Sequence, residues 1–402
     1  MRRCFFILLS AILSLGLPLF ASTIRIPQDQ PTIQAGINAA NTGDTVLVSP
    51  GSYTENIDFL GKAITVTSSD GPDVTILDGG QIGPVAVFHS GESNRSALSG
   101  FTLQDGVGVS NYAYTGGGIS IENSSPTIRQ NTIVGNNAAS GAGIGVQYGA
   151  PVIHDNSILE NTAQFGGGIY VLAAPGTRIV GNLIIGNTGS SAGGGIGFFA
   201  AGYALVLNNI FHGNVGGQGG AIWIVNEADE LIVDNLFAAN EASSGSEIYS
   251  SIPNSKKGFR IINNTIVADD AIADAAVVAD GFNQNAVIGN NVIFGASGGT
   301  ALLCNPVYPD GPPIVGFNDA YIRNGTAYAG SCTGFSGMKG NVSANPEFVA
   351  PEQGNFHLRS ISPAINAGHN LRALPKNDLG GKPRVVGGSV DMGAYEYQGG
   401  KP

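Results

Sequence analysis

Apolar residues along this chain fall into short alternating runs, and the runs return at a nearly fixed interval. Ile119, Ile144, Ile169, Ile196, Ile222 and Ile248 each close a glycine-rich phrase, from GGGIS at 116–120 to GSEIY at 245–249, with gaps of 25, 25, 27, 26 and 26 residues. A second phrase keeps phase with the first, as in IRQNTIVGN, IHDNSILEN and IVGNLIIGN. Alternation of this kind specifies strands with one face buried. No long stretch carries the 3.6-residue period that helical repeats need. Three short strands and three turns fill the period. Each unit is therefore expected to be one coil of a parallel β-helix, an all-β solenoid with coils of about 25–27 residues. Such coils stack their Ile, Val and Leu into one continuous column.

The same phase places Asn131, Asn156, Asn182, Asn209, Asn235, Asn264 and Asn291 on one vertical line, and Asn136, Asn161, Asn187, Asn214 and Asn240 on a second. Side-chain amides on such lines can bond from coil to coil along a bend, so a structural role is expected for both. The glycines mark a repeated corner that needs unusual dihedrals or close backbone approach.

Residues 23–50 follow another pattern. In PTIQAGINAA, Ile33, Ile37 and Ala40 have helical spacing, and Pro31 stands at a helix start. A helix there would cap the open solenoid end, which otherwise exposes core and strand edges. The expected organisation is a signal peptide at 1–21, an N-terminal cap and first strands at 22–60, β-helix coils at 61–300, and C-terminal coils with a disulfide loop and terminal hairpin at 301–402.

The first residues, MRRCFFILLSAILSLGLPLFAS, read as a basic start, an apolar run and small residues before a cut after Ala21. The run is short for a retained membrane span. Export to the medium or the cell surface is expected, with no integral membrane span after cleavage and a monomeric chain. Loss of Arg2 and Arg3 takes the formal charge from -11 to -13, and only Arg129 and Arg178 are basic between residues 101 and 250. So acidic a surface excludes nucleic acid and anionic membranes as partners. Cys304 and Cys332 remain after cleavage. In an exported chain they point to one disulfide, the alternative being two buried thiols.

Several stretches carry a resemblance. IRIPQDQPTIQAGINAANTGDTVLVSPGSYTENIDF, KAITVTSSDGPDVTILDG and LSGFTLQDG resemble bacterial right-handed parallel β-helix proteins of the pectin-lyase-like superfamily. The segment GNVSANPEFVAPEQGNFHLRSISPAINAGHN with DLGGKPRVVGGSVDMGAYEY resembles the terminal region called a choice-of-anchor Q domain. The resemblance implies the fold. For activity it implies only a broad range of lyases, hydrolases, epimerases, esterases and surface proteins.

If the repeated isoleucines point inward, their successors point out. Ser120, Gly145, Tyr170, Gly197, Trp223 and Tyr249 form one outward row, and Glu122, Gln147, Leu172, Phe199, Val225 and Ser251 another. Tyr170, Phe199, Trp223 and Tyr249, with Glu122 and Gln147 beside them, are the expected glycan-binding face, since aromatic rings stack on sugar C–H faces. A covering loop or a neighbouring molecule would make the same row packing. Catalysis has less support. The polygalacturonase series NTD, DD, GHG and RIK is absent: Asp269–Asp270 stands alone and His212 lies in FHGN. His154, Asp155 and Glu160, and Glu227, Asp229 and Glu230 in NEADE, read as solvated edges and turns. No catalytic residue or metal ligand is assigned. No cofactor is expected, except Ca²⁺ if the substrate is a uronate polymer, whose charge an acidic protein repels.

Three functions follow. The first is an exported protein that binds an extended polysaccharide or cell-surface glycan along the aromatic face. The second is a polysaccharide lyase, epimerase or glycoside hydrolase. The third is a structural or adhesive surface protein. A pocket of titratable groups beside Tyr170 and Trp223 would favour the enzyme, a flat aromatic strip without titratable groups would favour binding, and a strip buried under residues 301–340 would remove both.

Overall fold

The alternating runs become strands that pair in the phase the repeat dictates. Ile119 lies opposite Ile144, then Ile169, Ile196, Ile222 and Ile248, each pair parallel and without slip. The computed structural model describes residues 21–108, 116–227, 229–252, 258–268, 274–280, 285–305, 313–371 and 374–399. Within them the chain forms a right-handed parallel β-helix of about 11 coils. The expected signal peptide lies outside the described residues apart from Ala21.

Three parallel sheets run the length of the solenoid. The first, of 12 strands, contains Thr127–Arg129; the second, of 11, contains Thr132–Val134; the third, also of 11, contains Ile119–Glu122. Their inward residues, such as Ile128, Ile133 and Ile119, are fully buried and repeat in kind from coil to coil, forming one aliphatic column. A four-stranded sheet goes beyond the expected three per coil: Asn137–Ser140, Thr162–Phe165, Thr188–Ala192 and Val215–Gly216 pair at the corner before the glycine phrases.

Both asparagine lines are hydrogen-bonded ladders. Asn156 Nδ2 donates to Asn182 Oδ1 at 3.0 Å and to the Ile128 carbonyl at 3.0 Å. The first ladder runs on through Asn318 to Asn341. The second ends on Glu247, whose carboxylate accepts from Asn240 Nδ2 at 2.5 Å. Each amide thus satisfies backbone groups that the bend would leave buried and unpaired.

Two glycines show why the phrases recur. Gly166 has φ +59°, and a Cβ there would sit 2.3 Å from the Ile169 carbonyl oxygen. Gly168 has no such dihedral, but its Cβ would meet the Gly195 carbonyl of the next coil at 2.6 Å. The corner requires glycine for two separate reasons.

At the N-terminal end the helix Ile33–Ala39 lies across the column and buries Ile33 and Ile37. Thr32 caps it by accepting from the Ala35 N–H, and Glu55 accepts from the Ile33 and Gln34 N–H groups at 3.0 Å each. Lys62 Nζ donates to the carbonyls of Ile37, Asn38 and Ala40 at the other end. Opposite charges at the two ends of so short a helix match its dipole and its unpaired backbone groups. At the far end of the solenoid Cys304 and Cys332 form a disulfide inside the core.

Candidate functional site

The third sheet does not present an open aromatic strip. Tyr170, Trp223 and Tyr249 are 3%, 8% and 9% exposed. They form an outer hydrophobic cluster with Leu172, Ala192, Ala275 and Val278. Phe165, from the four-stranded sheet, lies 5.8 Å from the Trp223 ring and 6.5 Å from that of Tyr170. The ring of Tyr170 also folds over Gly197 in the next coil, so that glycine receives a side chain rather than leaves room for a ligand. Trp223 Nε1 donates to Gln218, and the Tyr249 hydroxyl donates to Asp280. Of the six expected glycan contacts, Phe199 and Glu122 are exposed and Gln147 is half-buried. The side chains with the best stacking faces are used in packing.

The outer face of the second sheet is different. In its first outward row Thr132 and Ser157 give way to Leu183, Ile210 and Leu236. Further along the row Thr265 Oγ1 accepts from the Ala394 N–H of the C-terminal segment, and Val292 follows it. Leu236, Ala238 and Val292 there pack against Phe348, Phe356, Leu358 and Met392 in a second hydrophobic cluster. The contact is incomplete. It leaves a cleft of about 830 Å³ whose walls include Ile210, Phe294, Phe356 and Tyr395, with His212, Arg323 and Glu352 among its polar groups. A second cavity of about 270 Å³ adjoins it. Volumes of this order hold small molecules or short stretches of a polymer. Burial pushes the Tyr395 hydroxyl up to about 12, so it remains a protonated donor at physiological pH.

The segment that makes the outer wall is tied down by charge. Arg384 lies 3.2 Å from Asp234, both being fully buried, and donates to the Gly393 carbonyl. Asp378, Asp391 and Glu396 surround the pair and accept backbone N–H groups of the same segment, as Asp378 does from Glu396 at 2.9 Å. Desolvation raises Asp234 and Glu396 to about 7 each. Asn263 donates to the Asp391 carbonyl, and Asn290 both donates to and accepts from the His369 backbone. Asp234 and Asn263 share the repeat position of Asp155, expected to be a solvated edge. That holds for Asp155, whose Oδ2 meets His154 Nδ1 at 2.8 Å on the exposed surface. It fails at Asp234 and Asn263, because the C-terminal segment covers those coils. The stretch 378–397 is no regular hairpin: the antiparallel strands of this region are Phe348–Ala350 and Asn355–Leu358, and the stretch lies along the flank of the solenoid.

Glu230 is a further correction. It was expected in a solvated turn, yet it is fully buried at the corner entering the strand Leu231–Val233, and neither carboxylate oxygen has a well-formed hydrogen bond. Desolvation raises it to about 8. Asp269 and Asp270 lie outside the described residues. Among the described residues no group of three His, Cys, Asp or Glu side chains could hold a metal ion, and no helix is long and apolar enough to cross a membrane.

A family described as a right-handed β-helix region matches residues 117–293. Among solved structures the chain is similar to the pectate lyase Pel9A, at 18% identity over 90% of each chain with a TM-score of 0.52. It is also similar to a variant of the PL6 family alginate lyase AlyGC, at 14% identity with a TM-score of 0.51, covering 84% of this chain and 55% of that one. No curated protein matches the sequence. The fold is shared with these polysaccharide lyases. At such identities the likeness is one of fold.

The cleft was not found from sequence, although two signals pointed to it. The outward row of the second strand is apolar at Leu183, Ile210, Leu236 and Val292, interrupted by Thr265, and the Asp155 position carries Gly181 and then Asn208, Asp234, Asn263 and Asn290 in later coils. Asp234 and Leu236 stand in one coil, and the C-terminal segment covers both.

Proposed function

We propose that this is an exported protein that binds a polysaccharide, and that the ligand lies in the cleft between the second sheet and the C-terminal segment. The observation that carries this reading is the cleft's lining. Apolar and aromatic walls from Ile210, Phe294, Phe356 and Tyr395 stand beside hydrogen-bonding groups from His212, Arg323 and Glu352. Sugar rings have the same two-sided character, with apolar C–H faces and polar edges. The names of the similar structures, lyases of pectate and alginate, support a polysaccharide partner. The disulfide suits an oxidising compartment. The formal charge of -11 supports a neutral or weakly charged glycan over a polyuronate.

Cleavage is the second reading, favoured by His212, Arg323, Glu352 and Tyr395 sharing one cavity. One experiment separates the two. A glycan array is probed with the wild type, Phe294→Ala and Trp223→Ala, and each hit is incubated and assayed for unsaturated products and new reducing ends. Binding lost in Phe294→Ala but kept in folded Trp223→Ala, with intact glycan recovered, is the expected result. Product release would make the protein an enzyme. Absence of binding would overturn the reading.

A further inference from the structure

The two cavities share Val267, Phe294, Arg323, Pro351 and Glu352, and are therefore adjoining compartments of one cleft. Their chemistry differs. The larger is walled by apolar and aromatic side chains, whereas the smaller adds Asn345, Glu347 and Arg359. In the smaller one, Asn345 Nδ2 donates to Glu347 Oε1 at 2.9 Å and Arg359 Nη2 donates to the Val349 carbonyl at 2.9 Å, so these planar groups are held before a ligand arrives. At the junction the Arg323 guanidinium and the Glu352 carboxylate are exposed and, among the described residues, have no hydrogen-bond or ion-pair partner. Two guanidinium groups and two carboxylates line the smaller compartment, which leaves no net charge to select an ionic unit. Rigid side-by-side donors and acceptors suit neighbouring hydroxyl groups instead.

We propose that the compartments are consecutive subsites for adjacent units of one neutral glycan. The larger holds a sugar ring against Phe294 and Phe356. The smaller reads the hydroxyl groups of the next unit through Asn345, Glu347 and Arg359, with Arg323 and Glu352 at the linkage between them. The assignment rests on the glycan-binding reading above and adds to it a direction, a minimum length and a charge class.

Titration calorimetry of the full chain tests it, using neutral gluco-, xylo- and manno-oligosaccharides of one to six units and oligogalacturonate. The expected affinity rises about tenfold from one unit to two and then flattens. Asn345→Ala and Arg359→Ala are expected to remove about tenfold for two units or more and leave the single sugar unchanged, while Phe294→Ala weakens both. Equal losses for one unit and for many would overturn the second subsite and leave the cleft standing. Preference for oligogalacturonate would overturn the neutral class. Binding that Phe294→Ala does not touch would overturn the cleft itself. Both subsite variants replace exposed side chains, and a far-ultraviolet spectrum checks that they fold.

Discussion

Arg384 and Asp234 meet at 3.2 Å in the seam between the C-terminal segment and the coils, and neither reaches solvent. A single guanidinium thus acts on Asp234, Asp391 and Glu396, with Asp378 adding a further negative charge beside Asp234 and Asp391. Burial raises Asp234 from 3.8 and Glu396 from 4.5, each to about 7. A carboxyl group with a raised folded value favours the folded state while it is protonated. That contribution is complete below the unfolded value and is lost as the pH climbs to the folded one. Docking of residues 378–397 should therefore loosen between about pH 4 and 7. Amide hydrogen exchange, corrected for its intrinsic pH dependence, should show falling protection in that stretch. Asp234→Asn should flatten the profile, and Arg384→Met should loosen the segment most above about pH 7, where Asp234 is ionised, by about 3–5 kcal/mol.

Glu230 is raised chiefly by burial, with Asp229 adding to the shift, and should behave more simply. Its folded value of about 8 against 4.5 makes the chain progressively less stable from about pH 4.5 to pH 8. Glu230→Gln removes the charge and should raise stability at pH 8–9 by on the order of 2–4 kcal/mol, with little gain at pH 4. Denaturant titrations of both proteins at the two pH values measure this. An equal difference at both would contradict a buried carboxylate.

The asparagine ladders should be costly to break in the middle. Asn187→Ala would take the Asn187 side chain from the Ile158 carbonyl, leave the Asn161 N–H without a partner and leave Asn161 Nδ2 with the Ile133 carbonyl alone, all in a buried bend. A loss of about 2–5 kcal/mol is expected, most of it from those orphaned groups. Thermal unfolding of this variant beside an exposed control such as Asn137→Ala checks the assignment.

Trp223→Ala tests the role of the outer aromatic cluster. Removing an indole packed against Phe165 and Phe199 should cost about 3–5 kcal/mol. Glycan affinity of the folded variant should be unchanged. Loss of affinity with stability intact would return the binding face to the third sheet.

The solenoid was legible in the sequence because its coils repeat. Isoleucines at a 25–27-residue interval must stack if the strands are to pair, and the same phase aligns Asn131 through Asn291. Glu247 was hidden for the converse reason, since a carboxylate at the end of a ladder does asparagine work at a different position in the phrase. Alternation separates inward from outward residues, but it says nothing of what covers an outward one. The alternation puts Tyr170 and Trp223 on the outer face of their sheet, and Phe165 and Ala192, arriving from a neighbouring corner, pack over that face.

The amino-acid sequence by itself determined the β-helix, its period, its ladders and the helix across its first coils, all of which follow from local pattern and coil-to-coil stacking. The tertiary structure decided where solvent is excluded. Asn263 and Asp391 are bonded across 128 residues, and no periodicity links one to the other. That contact, with the Arg384–Asp234 pair, lays an irregular segment along the coils and makes the cleft. A surface acquires its chemistry from whatever packs on it, and a contact this distant in sequence is resolved only in three dimensions.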